Sequence, residues 1–359
     1  QSFKNNAPLL EEDGQYGSLR SPQPGAPRYI GTKLNGNFKL LYKDFELLKY
    51  KEEEGEVIEP EFFLPIIPTV LLNGSSGIAV GFATNILNRN PIQLIDSCVK
   101  VLDGKKIKSI KPSLSEFNGE YLQDDENPKR WIIKGKFERV NTTTVRITEL
   151  PPSITYEKYE SHLDKLCDNK DIVSYDDNCR DNIDYLIKFT RSSLAELDDE
   201  KLSKLLKLEE SSTEIFSTLD EYGKLKIFEN CEEIVEYFVN FRLTYYHKRK
   251  QFLLDKMNKE LKLLSNRGKF IKAILDGKLK INNVAKSKII EQIESMSLDK
   301  IDNSYDYLLK MPIYSLTKEL FDKLKSDFSL KKEEIKKLES TDPKEMYKDD
   351  LSELKKSFK

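Results

Sequence analysis

Histidine is nearly absent from this chain, with only His162 and His247 in 359 residues. Neither lies near a cysteine cluster, which argues against zinc, because zinc sites draw on closely spaced Cys and His ligands. Cysteine is scarce as well. Cys98, Cys167, Cys179 and Cys231 are widely spaced and form no CxxC pair, so they read as reduced, unpaired thiols of a cytosolic protein. No excess of positive charge is present: 59 Lys and Arg face 61 Asp and Glu, for a net charge of -2. No global basic field announces a nucleic-acid binder, and any DNA site must be local. Long apolar runs are missing too. The longest, around Phe62 to Leu72, is broken by prolines, so no membrane span is expected, and no signal peptide is visible.

What is present suits a multidomain globular chain. Hydrophobic residues make up 38% and charged residues 33%, enough for several modest cores beneath a heavily solvated surface, and the length leaves room for two or three domains. Acids and bases are intermixed, especially after residue 195, as on long exposed helices.

The stretch with most chemical promise is Ala26-Pro27-Arg28-Tyr29-Ile30. It follows Ser21-Pro22-Gln23-Pro24-Gly25-Ala26-Pro27, where three prolines and a glycine in seven residues fix the backbone and block helix. A tyrosine phenol ionises near pH ~10, so a phenolate is both a possible nucleophile and a tolerable leaving group in phosphoryl transfer. Arg28 could hold a phosphate oxygen and favour the phenolate. Taken alone, the pair reads more plainly as a surface dipeptide in a loop. Asn73-Gly74-Ser75-Ser76-Gly77-Ile78-Ala79-Val80-Gly81 has no GKS or GKT ending and no GxGxxG, so a nucleotide loop is a weak reading. On residue type alone it is a glycine-rich turn close to another backbone, with Ile78 in the core. The acids of Lys51–Glu56 and of Asp124-Asp125-Glu126 read as solvated turns rather than metal sites.

The remaining pattern is of short elements followed by long helices. Phe38–Tyr42 is a helix or a strand edge. Phe62–Asn73 reads as extended. Ile92, Ile95, Val99 and Leu102 mark a helix that stops at Asp103-Gly104. Trp131–Phe137, Thr142–Leu150 and Ile183–Phe189 read as strands. Helices are expected over Ser153–Leu166 and from Ser192, the latter with acids in its first turns. From residue 231 the apolar spacing of Ile234, Phe238, Phe241 and Tyr245, and of Met257, Leu261 and Leu264, predicts a coiled-coil seam interrupted at Gly268 and ended at Asp276-Gly277. Tyr245-Tyr246 among Arg242, Lys248, Arg249 and Lys250 reads as a snorkelling helix face ahead of a nucleic-acid contact.

Asp13-Gly14-Gln15-Tyr16-Gly17-Ser18, then Arg28-Tyr29, then Phe63-Leu64-Pro65-Ile66-Ile67-Pro68 running into Gly77-Ile78-Ala79-Val80-Gly81 and Ala83-Thr84-Asn85-Ile86 together resemble the DNA breakage-reunion subunits of type IIA topoisomerases. The subgroup most resembled is that of T-even-type bacteriophages; gyrase A subunits and the eukaryotic topoisomerase II core are also similar. The resemblance implies an α+β multidomain fold. Residues 1–55 would be the C-terminal part of a winged-helix domain, 56–228 a tower domain, and 229–359 a coiled-coil arm with a small exit-gate dimerisation tip. A helix-turn-helix with a basic residue and a histidine is expected upstream of Gln1.

By the same resemblance, Tyr29 would carry the covalent link to DNA, assisted by Arg28. Ile78 would wedge between base pairs, where unstacking costs a few kcal/mol per step. Arg20, Lys33, Ser75 and Ser76 would contact DNA. Mg2+ and ATP are expected on partner subunits and not on this chain, which would act in the cytoplasm, the host's if the protein is viral. Expected partners are double-stranded DNA, a second copy through the arm, and ATPase and metal-binding subunits. The rival readings are a non-enzymatic DNA-bending scaffold, a tyrosine recombinase, and a purely structural coiled coil.

Overall fold

The computed structural model describes residues 1–180, 182–301, 303–312, 314 and 316–358. The chain divides into two units, one formed by Gln1–Arg242 with Lys348–Lys359 and the other by Leu243–Tyr347.

In the first unit, β1 (Leu10–Asp13) pairs antiparallel with β2 (Gly31–Leu34), with Asp13 opposite Gly31. Helix α1 (Gly36–Leu41) follows, capped by the Asn35 side chain, which accepts from the Asn37 N–H; Phe38–Leu41 are thus helix, while Tyr42 is extended and bridges to Pro65. The acidic segment after Lys51 is a hairpin, β3 (Tyr50–Glu53) against β4 (Glu56–Pro60), and only Glu54 and Gly55 turn, both at positive φ. The stretch expected to be extended up to Asn73 contains a helical turn instead, α2 (Thr69–Leu72), which buries Leu71 and Leu72. Pro68 precedes it, a position where a missing N–H and a fixed φ cost nothing. Next comes the hairpin β5 (Ser75–Ala79) and β6 (Phe82–Ile86).

Helix α3 (Pro91–Leu102) starts at Asn90, whose side chain accepts from the N–H groups of Ile92 and Gln93, as an N-cap should. It buries Leu94, Ile95, Cys98 and Leu102 and ends at Asp103 and Gly104, the glycine at φ +70.

The following strands are β7 (Glu120–Gln123), β8 (Arg130–Lys134), β9 (Lys136–Asn141) and β10 (Thr144–Glu149). Helix α4 (Tyr156–Asp168) leads to β11 (Ser174–Asp177) and β12 (Tyr185–Lys188), then come α5 (Arg191–Glu196), α6 (Asp199–Leu205), β13 (Glu209–Thr213), β14 (Ser217–Leu219) and β15 (Leu225–Ile227). They form a four-stranded sheet in the order β11-β12-β10-β9, a three-stranded sheet β13-β8-β7, and the hairpin β14-β15. Period-two alternation puts Val145 and Ile147 of β10, with Tyr185 and Ile187 of β12, against Tyr156, Tyr159 and Leu163 of α4 in one core. Trp131–Phe137 is therefore not one strand. It breaks at Gly135 and serves two sheets, and only glycine fits the join, since a Cβ there would stand 2.3 Å from the Glu149 carbonyl oxygen. Helix α5 starts one residue earlier than expected, capped by Thr190, and carries no acid in its first turn. The acids Asp199 and Glu200 open α6 instead.

Helix α7 (Cys231–Leu275) begins in the first unit and runs unbroken into the second. Gly268 does not interrupt it. One glycine costs about 1 kcal/mol in a helix, less than packing returns. Gly277, at φ +71, is where the chain turns. The second unit continues with α8 (Lys286–Ser295), α9 (Asp306–Leu309) and α10 (Lys318–Ser340), and α11 (Pro343–Ser357) follows. Phe270, Leu279, Ile293, Leu298 and Leu308 form a small core. Helix α10 lies beside α7, with Lys331 Nζ 3.2 Å from the Glu260 carboxylate. Tyr245 and Tyr246 are buried. Tyr246 stacks on Tyr347 at 4.4 Å, and the Lys248 ammonium lies 4.1 Å from the Tyr245 ring, so the tyrosine pair packs and Lys248 snorkels; Arg242, expected on the same snorkelling face, is instead fully buried and paired with Asp44.

Candidate active site

The β1–β2 ladder clasps the two ends of the loop 14–30. Inside it, the Gly25 N–H donates to the Gln15 carbonyl at 2.8 Å and the Tyr16 hydroxyl to the Gly31 carbonyl at 2.7 Å. Gln1 Nε2 donates to the carbonyls of Tyr16 and Pro22 at 3.0 and 2.9 Å. Gly14 sits at φ +102, and a Cβ there would come within 3.1 Å of the Tyr29 carbonyl oxygen, so the tyrosine's backbone rests directly on this glycine. Pro27–Tyr29 form a single 3-10 turn.

On this support the Tyr29 side chain is 72% exposed, and the Arg28 guanidinium carbon lies 4.7 Å from its ring centre. A cation over an aromatic face is attracted to it. The arrangement is an accessible phenol on a braced loop with one positive charge alongside.

Arg20, on the same loop, donates to the Cys179 carbonyl at 2.9 Å and lies 3.8 Å from the Asp177 carboxylate. Lys33, on β2, pairs with Glu11 at 3.0 Å; that hydrogen bond and charge raise its pKa. Ser75 and Ser76 are exposed on β5, opposite Ile86 and Asn85. Ile78, on the same strand, is 95% exposed, and Val80 at the turn is fully exposed. The residue-type expectation of a buried Ile78 fails because the two-residue turn lifts it past any covering layer.

The foot of this hairpin is fixed by residues that sequence reasoning missed. Asn85 exchanges backbone hydrogen bonds with Ile215 at 3.0 and 2.8 Å, and its Nδ2 donates to the Thr213 carbonyl at 2.7 Å. Arg89 pairs with Glu214 at 2.7 Å, the two side chains 1% and 2% exposed. The same carboxylate accepts from Trp131 Nε1 at 2.9 Å and from the Leu87 N–H at 2.9 Å. Burial works against the Arg89 charge, but Glu214 outweighs it and the guanidinium pKa rises. Arg89 and Glu214 stand 125 residues apart, and no local signal joins them. Beneath the hairpin lies an apolar cavity of about 660 Å³, walled by Ile78, Phe62, Phe82, Phe228, Phe238 and Phe241.

Among the described residues no group of three or more His, Cys, Asp or Glu could hold a metal ion. Asp124 spends its carboxylate on the N–H groups of Glu126 and Asn127, which lower its pKa. Among the described residues no helix is long and apolar enough to cross a membrane.

Similarity to known proteins decides the family. The model of the DNA gyrase/topoisomerase IV family, that of the A-type subunits, matches residues 1–353. The chain belongs to that family. Within the type II topoisomerases, it is 32% identical to the DNA topoisomerase medium subunit of Enterobacteria phage T4, over 99% of this chain and 80% of that protein. It is 33% identical to the mitochondrial DNA topoisomerase 2 of Dictyostelium discoideum, over 98% of this chain but only 28% of that enzyme. A solved structure of the Plasmodium falciparum topoisomerase II DNA-binding, cleavage and re-ligation domain superposes with a TM-score of 0.87 at 29% identity, covering 98% of this chain and 52% of that one. The mixed α/β architecture is thus that of a topoisomerase II core, and membership of this family favours part of an enzyme over a non-enzymatic scaffold.

Proposed function

We propose that this chain is the strand-cleaving subunit of an ATP-dependent type II topoisomerase and that Tyr29 is its nucleophile. The Tyr29 phenolic oxygen attacks a backbone phosphate. A phosphorus–oxygen bond to tyrosine forms as the bond to the 3′-oxygen breaks, leaving a 5′-phosphotyrosyl link and a free 3′-hydroxyl. The phenol's proton is released and the departing oxygen takes one up, so the exchange is balanced, and one ester replaces another without ATP. Arg28 stabilises charge developing on the phosphate. Two copies act on opposite strands, a second duplex passes through the break, and the link reverses. Ile78 serves as the wedge that bends the gate DNA, with Arg20, Lys33, Ser75 and Ser76 along the duplex.

The observation that carries this reading is the exposure of Tyr29 on a loop braced at both ends, with Arg28 over its ring. We assign 1–55, with Tyr29, to a winged-helix domain, 56–228 to the tower, and 229–359 to a coiled-coil arm and exit-gate tip that pairs two copies. Mg2+ and ATP belong to partner subunits, and the site of action is the cytoplasm, the host's for a phage enzyme. The test is to assemble the chain with its ATPase and metal-binding partners on DNA, digest, and look for DNA-linked tyrosine. Wild type should yield the adduct at Tyr29, and Tyr29→Phe should bind DNA and yield none. Cleavage by the Phe variant defeats the assignment.

A further inference from the structure

We propose that Asn73 is a positioning residue for strand cleavage: its side-chain amide clasps the backbone of Ala7 and so holds the Ile78 hairpin and the Tyr29 loop in one fixed relation. The inference rests on the reading of Tyr29 and Ile78 just given. Asn73 Oδ1 accepts from the Ala7 N–H at 2.9 Å and its Nδ2 donates to the Ala7 carbonyl at 2.9 Å, a two-way bond across 66 residues of sequence. Ala7 is fully buried.

On one side of the clasp, Asn73 is the last residue before Gly74 and β5. Gly74, at φ +68, has no room for a side chain: a Cβ would stand 2.7 Å from the Ile86 carbonyl oxygen. The hairpin therefore leaves Asn73 without slack. On the other side, the Leu9 carbonyl accepts from the Asn35 N–H at 3.0 Å, and β1 pairs with β2, whose first residue is two beyond Tyr29. Neighbouring bonds reinforce the joint. Asn6 Nδ2 donates to the Arg89 and Ser113 carbonyls at 2.8 and 2.7 Å, and Asn88 Nδ2 donates to the Lys4 carbonyl at 3.0 Å. Residues 4–7 are thus stitched to the hairpin's foot, and β1 carries that placement to the tyrosine loop.

Only an amide of this length gives and receives at one backbone unit. Ångström-scale misplacement of a reacting group costs up to about 10²-fold in rate. In the assembled enzyme, Asn73→Ala should therefore slow adduct formation about tenfold or more while DNA affinity stays within about twofold. Asn73→Asp keeps the bond from the Ala7 N–H but cannot donate to its carbonyl, and should fall between; it carries the test if the alanine variant does not fold.

The decisive readout is the cycle with Ile78→Ala. If Asn73 works by tying the wedge to the nucleophile, the double variant cleaves no more slowly than Ile78→Ala alone. Multiplicative losses, or wild-type cleavage by Asn73→Ala, overturn the inference while leaving Tyr29 standing. Absence of any Tyr29 adduct in wild type removes the reading beneath it.

Discussion

At the apex of the β5–β6 hairpin, Ile78 and Val80 are 95% and 100% exposed; at its foot, Arg89 and Glu214 are 1% and 2% exposed. Proteins ordinarily do the opposite, hiding branched aliphatics and showing charges. Leaving an isoleucine or valine in water forgoes about 1.5–3 kcal/mol of burial free energy each, and desolvating an ion pair costs several kcal/mol per ion before its attraction is counted. The inversion teaches what each end is for. The buried pair is tolerated because Trp131, Leu87 and Ile110 complete its hydrogen bonds, and such pairing fixes geometry more than it adds stability. Among the described residues nothing covers the bare apex, which fits side chains kept for a surface that arrives from outside.

The contrast can be broken hardest at the foot. Glu214→Ala leaves the Arg89 guanidinium buried without its anion and the Trp131 indole N–H without its acceptor, and should destabilise the first unit by about 3–5 kcal/mol. Trp131 is the only tryptophan in the chain, so urea unfolding followed by its fluorescence reads this site directly. Replacing both ions together, Arg89→Met with Glu214→Leu, should recover the part of the loss due to the unpaired charge, while the Trp131 and Leu87 N–H groups stay without their acceptor. A cost below about 1 kcal/mol for Glu214→Ala would mean the foot is not held by this pair.

A smaller effect is expected between the extremes, at half-buried His162, whose ring nitrogen lies 2.9 Å from the Leu205 carbonyl oxygen. Burial lowers its pKa, with Lys207 and Lys165 adding to the shift. The unfolded chain therefore takes up the proton before the folded one does. The contribution of this residue is present above the usual histidine value of about 6.5 and is lost as pH falls through the lowered folded value. His162→Gln should flatten that part of the urea-midpoint profile between about pH 7.5 and 5; an unchanged slope would assign the acid sensitivity elsewhere.

The smallest stability change belongs to the apex. Ile78→Ala should alter unfolding by no more than about 0.5 kcal/mol, yet abolish bending of bound duplex measured by energy transfer between its ends. A loss above about 1 kcal/mol would mean that the side chain packs within the protein and would erase the contrast.

The chain announces some of this architecture through local chemistry. The prolines before Tyr29 and the Asp103-Gly104 stop act over a few residues and appear where their chemistry predicts, and the strand read over Thr142–Leu150 is found at Thr144–Glu149. What stayed hidden is non-local. The Asn73–Ala7 clasp and the Arg89–Glu214 pair join residues far apart in the chain, and no periodicity marks them. Gly268 misled because a helix breaker on propensity is a tolerable helical residue once tertiary contacts outweigh it. Phe62–Asn73 misled because its prolines obscured the helical turn at Thr69–Leu72. Ile78 was the sharpest case: residue type alone sends it inward, and only the wider resemblance gave a reason for it to face out.

Gly135 joins two sheets through a single residue. Its N–H donates to the Leu208 carbonyl at 2.8 Å, the residues before and after it pair in different ladders, and the Glu149 backbone fills the space a methyl would need. Rotation of one sheet cannot be absorbed by slack between β8 and β9, because there is none. A load applied to β7 or β13 reaches β9 through one residue, so this glycine behaves as a rivet, and methylating it would pry apart two layers at once.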